Sequence, residues 1–221
     1  MFVGHLAVAL AAKKVAPRVP LAALVASAFG LDLLWPAFLL VGLEVVRIDP
    51  GNTRFTPLNF QSYPWSHSLL MSVVWGALAG HLTRVVLKST RAGLIVGTIV
   101  VSHWVLDVVT HRPDLPLWPG GPLAGLGLWN SIVDTLVVEG GLLVAGIAVY
   151  RTATTARDAT GEWAFWALIA CTSAIWLSSP FSPPPPNVTA IAIVGLLAGG
   201  VFPVWAAWIE RHRLMRATPT R

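Results

Sequence analysis

The chain reads as an all-α polytopic membrane bundle: six transmembrane helices preceded by a short N-terminal half-helix or re-entrant piece. Three observations predict it. Of 221 residues, 55% are hydrophobic and only 11% are charged, whereas soluble domains carry about 25% charged residues, and the mean hydropathy is +0.70. Six apolar stretches reach the ~17–25 residues a helix needs to cross the hydrocarbon core. The basic residues gather at alternate ends of those stretches, as they do when charge orients a membrane protein.

Taken in order, segment 3–12 is too short to span and is expected as the half-helix. Spans are expected over 20–46, 67–86, 92–110, 126–150, 163–179 and 187–209. Ser182 and the run Pro183–Pro186 form a tight extracytoplasmic turn between the last two. Lys13, Lys14 and Arg18 precede the first span, and Arg84, Lys88 and Arg91 join the second to the third. Arg151 and Arg157 join the fourth to the fifth, and Arg211, Arg213, Arg216 and Arg221 follow the sixth. The opposite loops carry only Arg47, Arg54 and Arg112. The basic groups therefore predict a multi-pass protein with both termini in the cytoplasm. Trp65, Trp118 and Trp129 at the outer edge and Trp163, Trp205 and Trp208 at the inner edge fit two aromatic belts.

The whole chain, 1–221, reads as one integral membrane domain, with the chemistry in 1–140 and helices 163–209 as scaffold. In MFVGHLAVALAAKK the lysines follow the apolar stretch, the reverse of a signal peptide, so no cleavable leader is expected. The single cysteine, Cys171, excludes a disulfide framework. A net charge of +5 comes from basic residues at span ends, which argues for lipid rather than nucleic acid as the partner. The oligomeric state is left open.

Inside this apolar chain His103, Asp107 and His111 follow one another at single-turn intervals. An ionisable group at the bilayer centre costs at least ~2.5–3.5 kcal/mol, so three on one segment require a function. At ~1.5 Å per residue, Asp32 and His103 both lie roughly 18 Å from the basic side, with Asp107 and His111 at roughly 24 and 30 Å. His67 opens its span from the outer edge. Asp134 and Glu139 sit ~12 and ~20 Å below that edge, and His5 reaches ~12 Å from the inner side. His103 and Asp107 share one helix face, and imidazole with carboxylate is a donor set that zinc uses. Asp32, His67, His111 and His5 are the candidates to complete the shell. With no thiolate in the set, Zn2+, Mn2+ or Fe2+ is chemically suitable. The same residues could instead pair with one another or line a proton or ion path. Glu44 is expected to pair with Arg47 at i+3. Ser66, Ser68 and Ser102 adjoin histidines in sequence, but neighbours on a helix do not face each other.

At these residues the sequence resembles a known family. MFVGHLAVALAAKK, LDLLWP, YPWSHSLL and SHWVLDVVTHRPDLPLWPGG with GLGLWNS are similar to the membrane-bound metal-dependent hydrolases called YdjM-like, over roughly the first two thirds of the chain. The resemblance implies a bacterial inner-membrane protein with a metal site at His5, Asp32, His67, His103 and Asp107. Tyr63-Pro64-Trp65 stands where that family commonly has an Arg-Gly type sequence. A more distant similarity is to the zinc-dependent phospholipase C and single-strand nuclease superfamily. Asp32, His67, His103, Asp107 and His111 match the first five elements of its ligand order, while Asn130 replaces the closing histidine, with Asp134 four residues on. One or two metals are expected rather than three.

The leading expectation is a hydrolase acting on a lipid-linked phosphoester at the outer face of the membrane. Glu139 or Asp134 would accept a proton from the attacking water, and Arg112 would meet a phosphate oxygen. The alternatives are a cation or proton transporter built on the same residues and a non-catalytic assembly protein whose polar groups join helices.

Overall fold

Polar side chains start each of the five longest helices. Ser68, Ser89, Ser131, Asp158 and Asn187 accept hydrogen bonds from the backbone N–H groups of Met71, Ala92, Asp134, Gly161 and Ala190. Such caps are each worth ~1 kcal/mol. In the computed structural model, which describes residues 1–216, nine α-helices account for most of the chain. They are α1 (Phe2–Val15), α2 (Leu21–Ala28), α3 (Gly30–Leu40), α4 (Pro64–His67), α5 (Leu69–Leu87), α6 (Thr90–Thr110), α7 (Ile132–Ala153), α8 (Ala159–Ser178) and α9 (Val188–Arg211). Three short antiparallel ribbons pair β1 (Val45–Ile48) with β2 (Leu58–Ser62), β3 (Leu115–Pro116) with β4 (Leu123–Ala124), and β5 (Thr154–Ala156) with β6 (Arg213–Met215). Arg221, counted above with the last basic group, lies outside the described residues.

The bundle is all-α in its body, and five of its helices are long and apolar enough to cross a membrane, or six if α2 and α3 count as one broken span. Exposed Leu78, Leu82, Leu94, Val137, Val144 and Leu197 clothe it in apolar surface, as lipid-facing helices require. The first expected span, 20–46, is corrected in two ways. It is bent by 55° between α2 and α3, and it ends at Leu40 in a turn where Gly42 adopts φ +73°. Gly30 disfavours a continuous helix, and Pro36 has no N–H to offer the carbonyl of Asp32, four residues back. The second span begins at Leu69, because Ser68 is extended and caps α5. The fourth begins at Ile132, because Leu128–Asn130 forms a 3-10 turn entered through Gly127 at φ +76°.

The expected half-helix is α1, and it forms the centre of the bundle, with Val3, Leu6, Ala9 and Leu10 buried. It meets α7 so closely that a Cβ on Gly146 would stand 2.6 Å from the carbonyl oxygen of Ala7. α5 and α6 form a hairpin whose contact is four glycines. A Cβ on Gly80 would meet the Gly93 carbonyl oxygen at 2.6 Å, and one on Gly76 would meet that of Gly97 at 2.8 Å. Small residues at this spacing let backbones approach where no hydrophobic effect drives helices together. α9 leans on α3 in the same manner, with Gly195 against Pro36 and Gly199 against Leu33.

Polar contacts divide the molecule into two ends. At one, β5 pairs with β6, and Lys13 donates to Glu210 and to the carbonyls of Pro17 and Val19. At the other, Phe55 N–H reaches the Trp129 carbonyl and Leu70 N–H the Leu117 carbonyl. Met1 does not lie at the basic end but inside the bundle, 4% exposed.

Candidate metal centre

Four helices bring the expected ligands together. His103 and Asp107 project from one face of α6, wholly buried at 0% and 2% exposure. Asp32 comes from the first turn of α3, just beyond the break, and His67 ends the single turn of α4. His5, from α1, stacks on the His103 ring with centroids 3.7 Å apart. The bend between α2 and α3 thus does two things at once. It aims Asp32 inward, and it leaves the Ala28 carbonyl to accept a hydrogen bond from His103 Nδ1 at 2.8 Å.

That bond orients His103: a carbonyl can only accept, so Nδ1 carries a proton and Nε2 is the ring atom left to ligate a cation. His67 is held by a longer relay. Glu44 is buried and accepts from Trp65 N–H at 2.9 Å, Ser66 N–H at 2.7 Å and Ser66 Oγ at 2.6 Å. The Ser66 hydroxyl in turn lies 2.7 Å from His67 Nδ1. Because Ser66 gives its one proton to the carboxylate, its oxygen accepts from Nδ1–H, and Nε2 of His67 again points inward as a lone pair. Glu44 therefore does not pair with Arg47 as expected; four residues of helix-free chain past Leu40 carry it beneath α4. Burial raises the Glu44 pKa above its ordinary value, and the bonds from Ser66 and Trp65 act against that rise.

Around the inward atoms the spacing is uniform. His67 Nε2 lies 3.5 Å from Asp32 Oδ1 and 3.8 Å from Asp107 Oδ2. His103 Nε2 lies 3.7 Å and 3.1 Å from the same two oxygens. Ligand atoms at 2.0–2.2 Å on the corners of a tetrahedron stand about 3.4 Å apart, a value that these nitrogen-to-oxygen distances bracket. His103 Nε2 is buried and makes no hydrogen bond. With the proton on Nδ1, it and the Asp107 oxygen present lone pairs to each other, an arrangement a shared cation relieves. Asp107 turns its other oxygen to His5 Nε2 at 3.1 Å and to the Met1 amino group at 2.5 Å. His/Asp groups that could hold a metal ion are thus present twice, as half-buried Asp32 with buried His67 and His103, and as the buried His5, His103 and Asp107.

A cavity of about 260 Å3 opens beside the cluster. Asp32, His67, Asp107 and His111 supply its polar wall, and Phe29, Trp35, Phe60, Trp129 and Phe202 much of its apolar one. α9 contributes Gly195, Ala198 and Gly199, so a helix expected as scaffold closes the site. Asp32, whose side chain is 41% exposed, is the member of the cluster most open to this space.

The remaining expected residues sit elsewhere. His111 ends α6 and lines the cavity but joins neither metal group. Its Nδ1 lies 3.0 Å from Asp114 Oδ1 and 3.1 Å from the Tyr63 hydroxyl. Burial first, then Asp114, holds the Tyr63 phenol well above its ordinary pKa, so it stays a donor; it gives its proton to Asp114 at 2.9 Å. Glu139 is buried behind the site, with one oxygen 3.4 Å from Trp129 Nε1 and the other without a partner. Asp134 lies in the first turn of α7 and is exposed, since that helix starts six residues later than expected. Arg112 is spent on Asn59 at 2.6 Å and Asp114 at 3.2 Å. Glu44, Asp114 and Tyr63 are the members that sequence reasoning passed over as site residues. Trp129, expected in the outer belt, packs on His111 with ring centroids 4.5 Å apart.

No protein-family model, curated protein or solved structure matches the chain.

Proposed function

We propose that this chain crosses the bacterial inner membrane six times, its basic end in the cytoplasm, and is a metal-dependent hydrolase of lipid-linked phosphoesters. The basic residues at the β5–β6 end support the orientation, and α2 with α3 supplies the sixth span. The observation that carries the function is the set of four inward donors, Asp32, His67, His103 and Asp107, with both imidazoles held from behind as neutral ligands. The resemblance to YdjM-like proteins, which rests on the same positions, supports it further.

A divalent cation, Zn2+ first by donor chemistry, supplies Lewis acidity and a more acidic water. The chain supplies the rest. The carboxylates offset the cation's charge; the aromatic wall excludes water and accepts hydrocarbon; Asp32 stands at the mouth of the cluster, where a polar headgroup would arrive. A transporter reading is disfavoured because α1 presents Leu6, Ala9 and Leu10 between the cluster and the buried Lys13, so the described residues offer no relay to the basic end.

Elemental analysis of detergent-purified protein tests the proposal. Near-stoichiometric zinc, manganese or iron is expected in the native chain, and less than a tenth of it in His103→Ala and Asp107→Ala. Unchanged metal in both variants, or none in the native protein, would leave the cluster as ion pairs joining helices and end the hydrolase reading.

A further inference from the structure

We infer that His111, oriented by Asp114 and Tyr63, is the proton-carrying side chain of the cavity and not a metal ligand. This rests on the hydrolase reading above. The ring is held on every side. Phe60 and Trp129 pack against it with centroids at 4.9 and 4.5 Å, and the chain beyond it is pinned by Gly127 N–H on the His111 carbonyl at 2.6 Å. Nδ1 faces the Asp114 carboxylate at 3.0 Å. That carboxylate is itself fixed by the Tyr63 hydroxyl on one oxygen and Arg112 Nε on the other.

A carboxylate accepts and cannot donate, so Nδ1 carries a proton and Nε2 is the nitrogen left to exchange one. Among the described residues the side-chain hydrogen bonds of His111 run through Nδ1, and the residue lines the same cavity as Asp32 and His67. An imidazole oriented by a carboxylate at the wall of such a cavity is the arrangement of a general base that becomes a general acid. Glu139, Asp134 and Arg112 do not line that space.

The step balances with one water. As the water oxygen bonds to phosphorus, one of its protons passes to Nε2. The bond from phosphorus to the lipid oxygen breaks, and Nε2 returns the proton to that oxygen. The products are an alcohol and a phosphate bearing one more hydroxyl, with no redox change.

The test uses full-length protein in detergent with zinc, in the native form and as His111→Gln, Asp114→Asn and His103→Ala. Two quantities are read: bound zinc, and hydrolysis of bis(p-nitrophenyl) phosphate and p-nitrophenyl butyrate. The dyad predicts that His111→Gln and Asp114→Asn keep native zinc while His103→Ala loses it. It further predicts that kcat on the phosphodiester falls about 100- to 10,000-fold in His111→Gln, the contribution of a general acid–base, with KM nearly unchanged. Zinc lost from His111→Gln would overturn the inference by making His111 a ligand, and leave the hydrolase reading standing. A native kcat in His111→Gln would overturn it by showing that the proton does not pass through this side chain. Native protein that holds zinc and cleaves only the carboxylic ester would refute the phosphoester assignment while His111→Gln still reports the dyad. If the native protein cleaves neither probe, the hydrolase reading fails and the catalytic role of His111 with it.

Discussion

Ser66→Ala removes one oxygen and should loosen the metal without touching a ligand. That oxygen holds two hydrogen bonds, 2.6 Å to Glu44 and 2.7 Å to His67. Glu44 keeps its two backbone donors, Trp65 and Ser66 N–H, so the loop retains its anchor. His67 alone loses the acceptor that fixes its proton on Nδ1 and its ring against Asp32 and Asp107. A single bond of this kind to a charged network is worth about 1.5–3 kcal/mol, and loss of such an outer partner lowers metal affinity about 10- to 100-fold. At 1.4 kcal/mol per tenfold the two figures agree at about 1.4–2.8 kcal/mol. Competition titration against a zinc chelator would show it, with Co2+ absorption reporting any change in ligand geometry. An affinity within threefold of native and an unaltered Co2+ spectrum would refute the idea that Glu44 and Ser66 set the His67 imidazole.

Other consequences follow from packing and charge. Gly93→Ala places a Cβ 2.5 Å from the Gly80 carbonyl oxygen. Backbone cannot step aside as a side chain can, so a loss of about 1–3 kcal/mol is expected, visible as a lower thermal midpoint in detergent; an unchanged midpoint would mean that α5 and α6 do not meet there. At the basic end Asp158 accepts from His212 Nδ1 at 2.8 Å and Gly161 N–H at 2.9 Å, and the His212 bond above all holds its pKa below the ordinary value. A carboxyl depressed by folding contributes fully above its unfolded value of about 3.9 and loses that contribution as pH falls through the folded one. Relative to the intrinsic rate, which itself slows in acid, protection of the amides at the start of α8 should therefore fall as pH drops below about 4, and Asp158→Asn should abolish that fall; an equal fall in the variant would contradict it.

Hydropathy located the long helices because a bilayer demands length and apolarity of each span alone, and the i, i+4 pair His103 and Asp107 showed its common face directly. Depth arithmetic also placed Asp32 level with His103. What it cannot supply is rotation about each helix axis, which is why Glu139 falls at the right depth yet behind the site, where Trp129 meets it. The break at Phe29 had local signals in Gly30 and Pro36, but a run of mean apolarity hides them. Sequence proximity points Glu44 to Arg47, whereas its partners lie 21 and 22 residues ahead in α4. Such a pairing depends on how the turn after Leu40 folds back. The Asp114 partner of His111 lies three residues on, within reach of local reasoning.

The central claim is that two imidazoles and two carboxylates from separate parts of the chain share one cation. X-ray absorption at the zinc edge of loaded, full-length protein measures that shell. Two imidazole nitrogens near 2.0–2.1 Å and oxygens near 2.0–2.2 Å, with one imidazole lost in His67→Ala, are predicted. A shell without imidazole scattering, or one containing sulfur near 2.3 Å, would contradict it.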